Sequence, residues 1–244
     1  MTEQFHIAFI ITSVTKNTIM EVIIMRENLT ELVFILDKSG SMGGLESDTI
    51  GGFNSLIAKQ QKEEGEALVS TVLFSDQSFV LHDRKPIRKI KKLTDKDYFV
   101  GGCTALLDAV GEAIKHIGNV QKYAREEDRP AKTLFVITTD GLENASRKHD
   151  LASVKRMIER QKEKYNWEFL FLGANIDAID VAGSMGIRAD RAVNYQADSE
   201  GTALNFEVLE QAVSRVRKCE VAYMSAAFDG GEWKAEIERD YEGR

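Results

Sequence analysis

Two short apolar runs, each closed by an aspartate, constrain the fold of this chain more than any other feature. The first covers residues 32–36 and is followed directly by Asp37; the second covers residues 133–138, with Asp140 just beyond it. Continuous runs of branched and aromatic residues of this length are typical of strands buried on both faces of a parallel sheet. The chain is therefore expected to contain at least two central strands that end on a carboxylate.

Further strand and helix patterns alternate along the chain with short connections. The expected strands cover residues 32–36, 67–74, 78–82, 133–138, 167–172 and 192–194. The expected helices cover residues 48–62, 104–124, 151–164, 176–185 and 202–217. Residues 75–77 predict a hairpin, which adds one antiparallel edge strand. Together these patterns predict an α/β fold: a Rossmann-like, doubly wound, mostly parallel six-stranded sheet with helices on both faces.

The patterns predict one domain, over residues 26–219, without internal repeats or a second core. The first 25 residues are interpreted as an N-terminal extension, and not as a signal peptide, because their apolar stretch has no preceding Lys or Arg. Translation from Met25 would omit most of it. Residues 220–244 lose clean periodicity and become acidic around Asp229 and Glu232. They are interpreted as a C-terminal tail or docking segment.

The composition excludes several classes of function. A net charge of −7 and a pI near 5.3 disfavour attraction to nucleic acid or to an anionic membrane. No apolar segment reaches the roughly 20 residues that span a bilayer, and a cytoplasmic location is expected. The two cysteines are far apart and the four histidines are scattered, so spacing supports no zinc cluster. Neither a dinucleotide-binding glycine motif nor a phosphate-binding loop is present.

Oxygen-bearing side chains gather where strands are expected to meet helices. Asp37, Ser39 and Ser41 follow the first strand, Thr104 ends a Gly-Gly-Cys-Thr loop, and Asp140 follows a later strand. In an open α/β sheet, ligands bind outside the carboxyl ends of the strands, and hard cations such as Mg²⁺ prefer oxygen ligands. Three loops converging on one point therefore predict a cation site. In isolation, the Asp-x-Ser-x-Ser element would be better explained by a turn and a helix N-cap; the Thr104 and Asp140 loops favour the cation site.

At these residues the chain resembles the von Willebrand factor A domain family, with its metal-ion-dependent adhesion site. The matching residues are Asp37, Ser39, Ser41, Thr104 and Asp140, and the order of elements over residues 26–219 is also similar. The resemblance implies that both serines bind the ion directly, and Thr104 directly or through water. The two aspartates would bind directly or through water, according to conformational state.

The resemblance implies a non-enzymatic protein–protein interaction module. Hydroxyl ligands neutralise a divalent ion poorly, so the ion, Mg²⁺ or else Mn²⁺ or Ca²⁺, stays electrophilic and can accept an acidic side chain of a partner protein. Relatives of bacterial type suggest a partner in an ATPase or stress-response assembly. The alternative is a Mg²⁺-dependent phosphohydrolase or phosphotransferase with Asp37 as nucleophile. Against it, Ser39 stands where such enzymes carry a second, acid-base aspartate.

Three neighbouring features have both a functional and a structural interpretation. Cys103 departs from the commonest form of the family's third motif; it is either an oxidation-sensitive thiol or a small buried residue. Met42, Leu45 and Leu142 form either an apolar rim around the ion or ordinary packing. The basic run at residues 84–92 is interpreted as a solvated sheet edge rather than a nucleic-acid site, because it lacks aromatic residues for base stacking.

Overall fold

Six strands form a single sheet in the computed structural model, which describes residues 29–244. The strands are β1 (Leu29–Asp37), β2 (Glu66–Phe74), β3 (Ser78–Pro86), β4 (Lys132–Thr139), β5 (Glu168–Gly173) and β6 (Ala192–Asn194). They lie in the order β3-β2-β1-β4-β5-β6. Every neighbouring pair is parallel except β2 and β3. The predicted six-stranded sheet with one antiparallel edge strand is confirmed, whereas the predicted extension at residues 1–25 lies outside the described residues.

Helices cover both faces of this sheet, as predicted for a doubly wound fold. They are α1 (Glu46–Gln60), α2 (Leu106–Tyr123), α3 (Leu151–Tyr165), α4 (Ala178–Ser184), α5 (Ser199–Lys218) and α6 (Ala235–Gly243). Successive side chains of β1 point to opposite faces of the sheet, so they belong to two separate hydrophobic cores. Leu32, Phe34 and Leu36 pack with α1 and α5, whereas Val33 and Ile35 pack with α2 and α3. Within the described residues, no helix combines the length and apolar character needed to cross a membrane.

β1 and β3 are longer than the hydrophobic pattern predicts. β1 includes Thr30 and Glu31, which are polar but almost completely buried. The Glu31 carboxylate accepts a hydrogen bond of 2.8 Å from Nε of Arg84, a residue of the extended part of β3. Burial raises the pKa of Glu31, and the Arg84 guanidinium opposes that rise. An ion pair across the sheet thus extends both strands, which hydropathy alone cannot reveal.

The segment after α5 contributes to the hydrophobic core. It forms the 3₁₀ helix Val221–Tyr223, then the 3₁₀ segment Ala226–Lys234, which is kinked at residues 229–231, and then α6. Phe228, Trp233 and Ile237 are buried and belong to the same core cluster as α1 and α5. The Trp233 indole N–H also donates a 2.7 Å hydrogen bond to the carbonyl of Asp190. The core therefore continues past residue 219, while a docking role for residues 220–244 stays a prediction.

Replacing Trp233 with Ala should lower the free energy of unfolding by about 3–5 kcal/mol, the usual cost of removing a buried aromatic side chain. Urea unfolding followed by circular dichroism would measure it. Tyr223→Ala is the matched control in the same segment, since Tyr223 is 61% exposed, and it should cost less than about 0.5 kcal/mol. Equal, small effects would contradict a structural role for this segment.

Candidate metal centre

The candidate site lies at the switch point of the sheet, where the strand order reverses. The chain leaves β1 toward β2 on one side, and β4 pairs with β1 on the other. In this register Leu36 stands opposite Thr138, so both strands end at the same level. Asp37 and Asp140 therefore reach the same crevice. Such a crevice is the usual ligand position in open α/β sheets.

The loop after β1 turns its polar groups inward. The backbone N–H of Ser39 donates a 2.7 Å hydrogen bond to Oδ1 of Asp37, and a 3₁₀ turn at Gly40–Met42 follows. The hydroxyl oxygens of Ser39 and Ser41 lie 3.0 Å apart. Asp37 and Ser39 are each 1% exposed, whereas Ser41 is exposed. This loop thus presents two hydroxyls toward the crevice above a buried carboxylate.

The two aspartates differ in how their oxygens are used. The Ser41 hydroxyl donates to Oδ1 of Asp140 at 2.5 Å, and the Thr139 hydroxyl donates to Oδ2 of Asp37 at 2.6 Å. Both oxygens of Asp37 therefore accept hydrogen bonds. Oδ2 of Asp140 is buried and, within the described part of the chain, has no hydrogen-bond partner. A buried carboxylate oxygen without a partner is costly unless a donor or a cation meets it.

Thr104 lies at the end of a second loop, which is hydrogen-bonded to the loop after β1. The N–H of Gly101 donates to the carbonyl of Lys38, and the N–H of Gly40 donates to the carbonyl of Gly102. Gly102 has a φ of +83°, and a Cβ there would lie 2.2 Å from the Asp76 carboxylate. The left-handed φ favours glycine here, because L side chains rarely adopt it, and a side chain would also displace the Asp76 carboxylate.

Gly141 shows how close the hydroxyls of different loops come. A Cβ built on Gly141 would lie 3.1 Å from Oγ of Ser41 and 3.1 Å from Oγ1 of Thr104. Both hydroxyls therefore border one small space, next to Asp140. The structure thus brings together all five residues named from the sequence.

The electrostatics of this space suit a cation. Burial raises the pKa of Asp37. Burial, and then the neighbouring charge of Asp37, raise the pKa of Asp140. A positive ion beside them would reverse both effects, because it favours the ionised carboxylates. The donors are all hydroxyl or carboxylate oxygens, and among the described residues no group of three or more His, Cys, Asp or Glu side chains forms a separate metal cluster.

Solved structures with a similar fold include a von Willebrand factor type A protein from Catenulispora acidiphila, at 15% identity and a TM-score of 0.50 over 77% of this chain and 43% of that one. The chain has the von Willebrand factor A fold. Proximal thread matrix protein 1 from the mussel byssus has a TM-score of 0.53 at 13% identity over 77% of this chain, which spans about half (46%) of that protein.

A third similar structure is the manganese-loaded TRAP protein of Plasmodium vivax. Its TM-score is 0.51 at 17% identity, over 74% of each chain. No family model matches the sequence, and no curated protein matches it either. The structural likenesses establish the A-domain fold, and the site rests on the geometry of this chain.

Sequence reasoning missed four side chains that hold the candidate site in place. Thr139 and Tyr98 bond to Asp37, the latter through its hydroxyl to the backbone carbonyl at 2.5 Å. Asp76 accepts from the N–H of Cys103 at 2.9 Å. The Asn144 side chain accepts from the N–H of Thr104 at 2.9 Å. Thr139 is adjacent to Asp140 in sequence, but no spacing rule indicated the other three.

The surface around the site is partly apolar. Met42 and Leu45 are buried, so they pack into the domain and do not form a rim. Leu142 is 61% exposed and Phe99 is 62% exposed. The Lys38 ammonium lies 4.3 Å from the centroid of the Phe99 ring. Of the three residues considered for an apolar rim, Leu142 is exposed. Phe99 is a second exposed apolar residue there, which the sequence did not indicate.

The loop after Asp140 is fixed to the start of α2 by Asp108. Its carboxylate accepts backbone N–H bonds of 2.8–2.9 Å from Arg147, Lys148 and His149. Partial burial alone would raise the pKa of Asp108, but these three donors outweigh it and lower the pKa. The ionised carboxylate therefore orders residues 147–149 of the loop that returns from the site.

Asp108→Asn should lower the free energy of unfolding at pH 7 by about 1–2 kcal/mol, because the amide has one acceptor oxygen: at least one of the three N–H groups loses its acceptor, and the remaining bonds become neutral. The folded-state pKa of Asp108 is depressed, so its stabilising effect is present above about pH 4 and is lost as the pH falls through that pKa. The difference between variant and wild type should therefore shrink at pH 3. Urea unfolding at both pH values measures this.

Asp180→Asn is the control for this measurement, because Asp180 is exposed at the start of α4. It should change stability little at either pH. A penalty for Asp108→Asn that is the same at pH 3 and pH 7 would contradict the role of the ionised carboxylate.

Proposed function

We propose that this protein is a non-enzymatic protein–protein interaction module that binds a divalent cation and uses it to capture an acidic side chain of a partner. Ser39, Ser41, Thr104 and Asp140 would hold the ion, and Asp37 would act directly or through water. The observation that carries the proposal is the buried, unpartnered Oδ2 of Asp140, which belongs to the same crevice as the three hydroxyls.

The difference between the two aspartates supports this division of roles. Asp37 already accepts hydrogen bonds from the Ser39 N–H and the Thr139 hydroxyl. Asp140 accepts one bond, from Ser41, and keeps one oxygen free of protein donors. Asp140 is therefore the better candidate of the two carboxylates to bind the ion directly through an oxygen. When bound, a divalent ion with mostly neutral oxygen ligands supplies an electrophilic position that an outside carboxylate can fill.

The choice of ion follows from the donors, since hydroxyl and carboxylate oxygens suit hard cations. We propose Mg²⁺, with Mn²⁺ or Ca²⁺ as substitutes; the similar TRAP structure is manganese-loaded. The partner would be a protein, in an ATPase or stress-response assembly of the cytoplasm. With a net charge of −7, neither nucleic acid nor a membrane surface is the proposed partner.

The geometry favours binding over phosphoryl chemistry. A nucleophilic Asp37 would need an oxygen that a phosphate can reach, yet the residue is 1% exposed and both its oxygens accept internal hydrogen bonds. Ser39, two residues later, is not an acid or base near neutral pH. We therefore place the phosphohydrolase alternative second.

Ser41→Ala should weaken binding of Mn²⁺ and Mg²⁺ by at least about tenfold, because it removes a donor to the ion and the hydrogen bond that orients Asp140. Calorimetric titration of metal-free protein measures the affinity. Ser47→Ala, an exposed serine at the start of α1, should bind like wild type. If Ser41→Ala bound the ions with wild-type affinity, the Ser41 hydroxyl would not be a ligand of the ion.

Gly141→Ala tests the position of the ion while leaving every proposed donor in place. The added methyl group would fill the space bordered by the Ser41 and Thr104 hydroxyls, so binding of Mn²⁺ should weaken by at least about tenfold. The same titration measures it, with circular dichroism to confirm folding. Unchanged affinity would show that the ion does not occupy this space.

Capture of a partner should depend on both the ion and the site. Protein immobilised in Mg²⁺ should retain a partner that is released by chelator and is not retained by Ser41→Ala. Replacing the partner's contacting Asp or Glu with Asn or Gln should abolish retention, since an amide is a poorer ligand for a hard cation. Chelator-resistant retention would argue against a metal bridge. Phosphatase turnover lost in Asp37→Ala would favour the enzyme instead.

A further inference from the structure

A cavity of about 490 Å³ lies far from the candidate metal centre, at the amino ends of β4 and β5. It opens between α2, α3 and the loop that enters β4. Its floor includes Trp167, which is 3% exposed and whose indole stacks on Phe135 at 5.2 Å. Ile114 and Met157 add apolar surface. The volume is within the range of small-molecule sites.

The cavity is strongly cationic in a chain whose net charge is −7. No Asp or Glu is among its lining residues. Its basic lining residues are Lys115, Lys122, Arg129 and Arg160. Lys115 lies 3.9 Å from Glu112, whereas within residues 29–244 the other three form no ion pair. Basic side chains gathered without carboxylates around a concave surface focus a positive potential there.

Polar and aromatic groups complete the lining. Oε1 of Gln161 is buried and has no hydrogen-bond partner in the described part of the chain. Gly118 of α2 borders the same region: a Cβ there would make ordinary van der Waals contacts of 3.5 Å with Nε2 of Gln161 and 3.9 Å with the Trp167 ring. Tyr165, 48% exposed, adds a second aromatic ring. A hydrogen bond with Lys164, and then the charges of Lys164 and Arg160, lower the pKa of this tyrosine.

We infer that this cavity binds a small anion of the nucleoside monophosphate class. Arginine and lysine suit the phosphate group, the half-exposed Tyr165 ring suits a planar base, and the buried Gln161 oxygen lacks the N–H or O–H donor that a base or sugar carries. A polynucleotide would need an extended basic groove with successive stacking residues. An open cavity of this size between two helices fits a single nucleotide better.

Binding can be followed at the two tryptophans of the chain. We would titrate AMP, GMP, CMP and UMP separately into ¹⁵N-labelled protein at low salt, with chelator present so that the metal centre plays no part. The indole signal of Trp167, assigned with Trp167→Phe, should shift saturably with at least one nucleotide. The Trp233 indole, bonded to the Asp190 carbonyl elsewhere, should not move. Affinity should fall as salt rises.

Arg160→Ala should raise the dissociation constant by about tenfold or more, since it removes a cation that contacts the phosphate. Arg156→Ala is the matched control, because Arg156 is exposed on the same helix and does not line the cavity. Both are exposed helical positions where alanine preserves the fold.

Three results would overturn the inference. One is the absence of a saturable Trp167 shift with all four nucleotides up to 10 mM, a concentration on the order of the weakest specific binding. Another is an equal loss of affinity in Arg160→Ala and Arg156→Ala. The third is an equal shift and affinity with inorganic phosphate alone, which would remove the base from the recognised ligand. None of these depends on whether the metal centre binds an ion.

Discussion

The parallel pairing of β1 with β4 is the constraint on which the rest of the site depends. It sets Leu36 beside Thr138, so that Asp37 and Asp140 come together although more than a hundred residues separate them. Because side chains alternate between sheet faces, a shift of one residue would exchange the two cores as well as displace the carboxylates. The same register therefore buries Leu36 with α1 and brings the Thr139 hydroxyl to Asp37.

Away from the site, buried Lys and Arg side chains donate hydrogen bonds to backbone carbonyls at the ends of helices and in loops. Arg217 of α5 donates to carbonyls at the end of α1, including those of Gln60 and Gly65. Lys132 donates to the carbonyls of Arg217 and Cys219, and Lys234 to those of Ala189 and Ala192. Such carbonyls would otherwise be left unsatisfied in the interior. Hence the C-terminal segment is joined to the domain by polar as well as apolar contacts.

The two ends of the sheet have opposite chemistry. At the carboxyl ends of the strands, carboxylates and hydroxyls form the crevice in which we propose a cation. At the amino ends, basic side chains and aromatic rings border a cavity suited to an anion. The length of the strands separates them, so ionic screening leaves little direct coupling between the two sites. Each can therefore be tested alone.

The sequence by itself determined the sheet and its antiparallel edge, because buried strands follow local periodicity. It also predicted five oxygen-bearing residues of the candidate site, from their place at strand-to-helix junctions and from the family resemblance. It could not show that Thr30 and Glu31 are buried, since their partner Arg84 lies far along the chain. Nor could it show that Met42 is buried whereas Leu142 is exposed. Tertiary structure alone decided which oxygen of Asp140 lacks a partner and which cations share a cavity, because those properties depend on distances between segments that sequence does not encode locally.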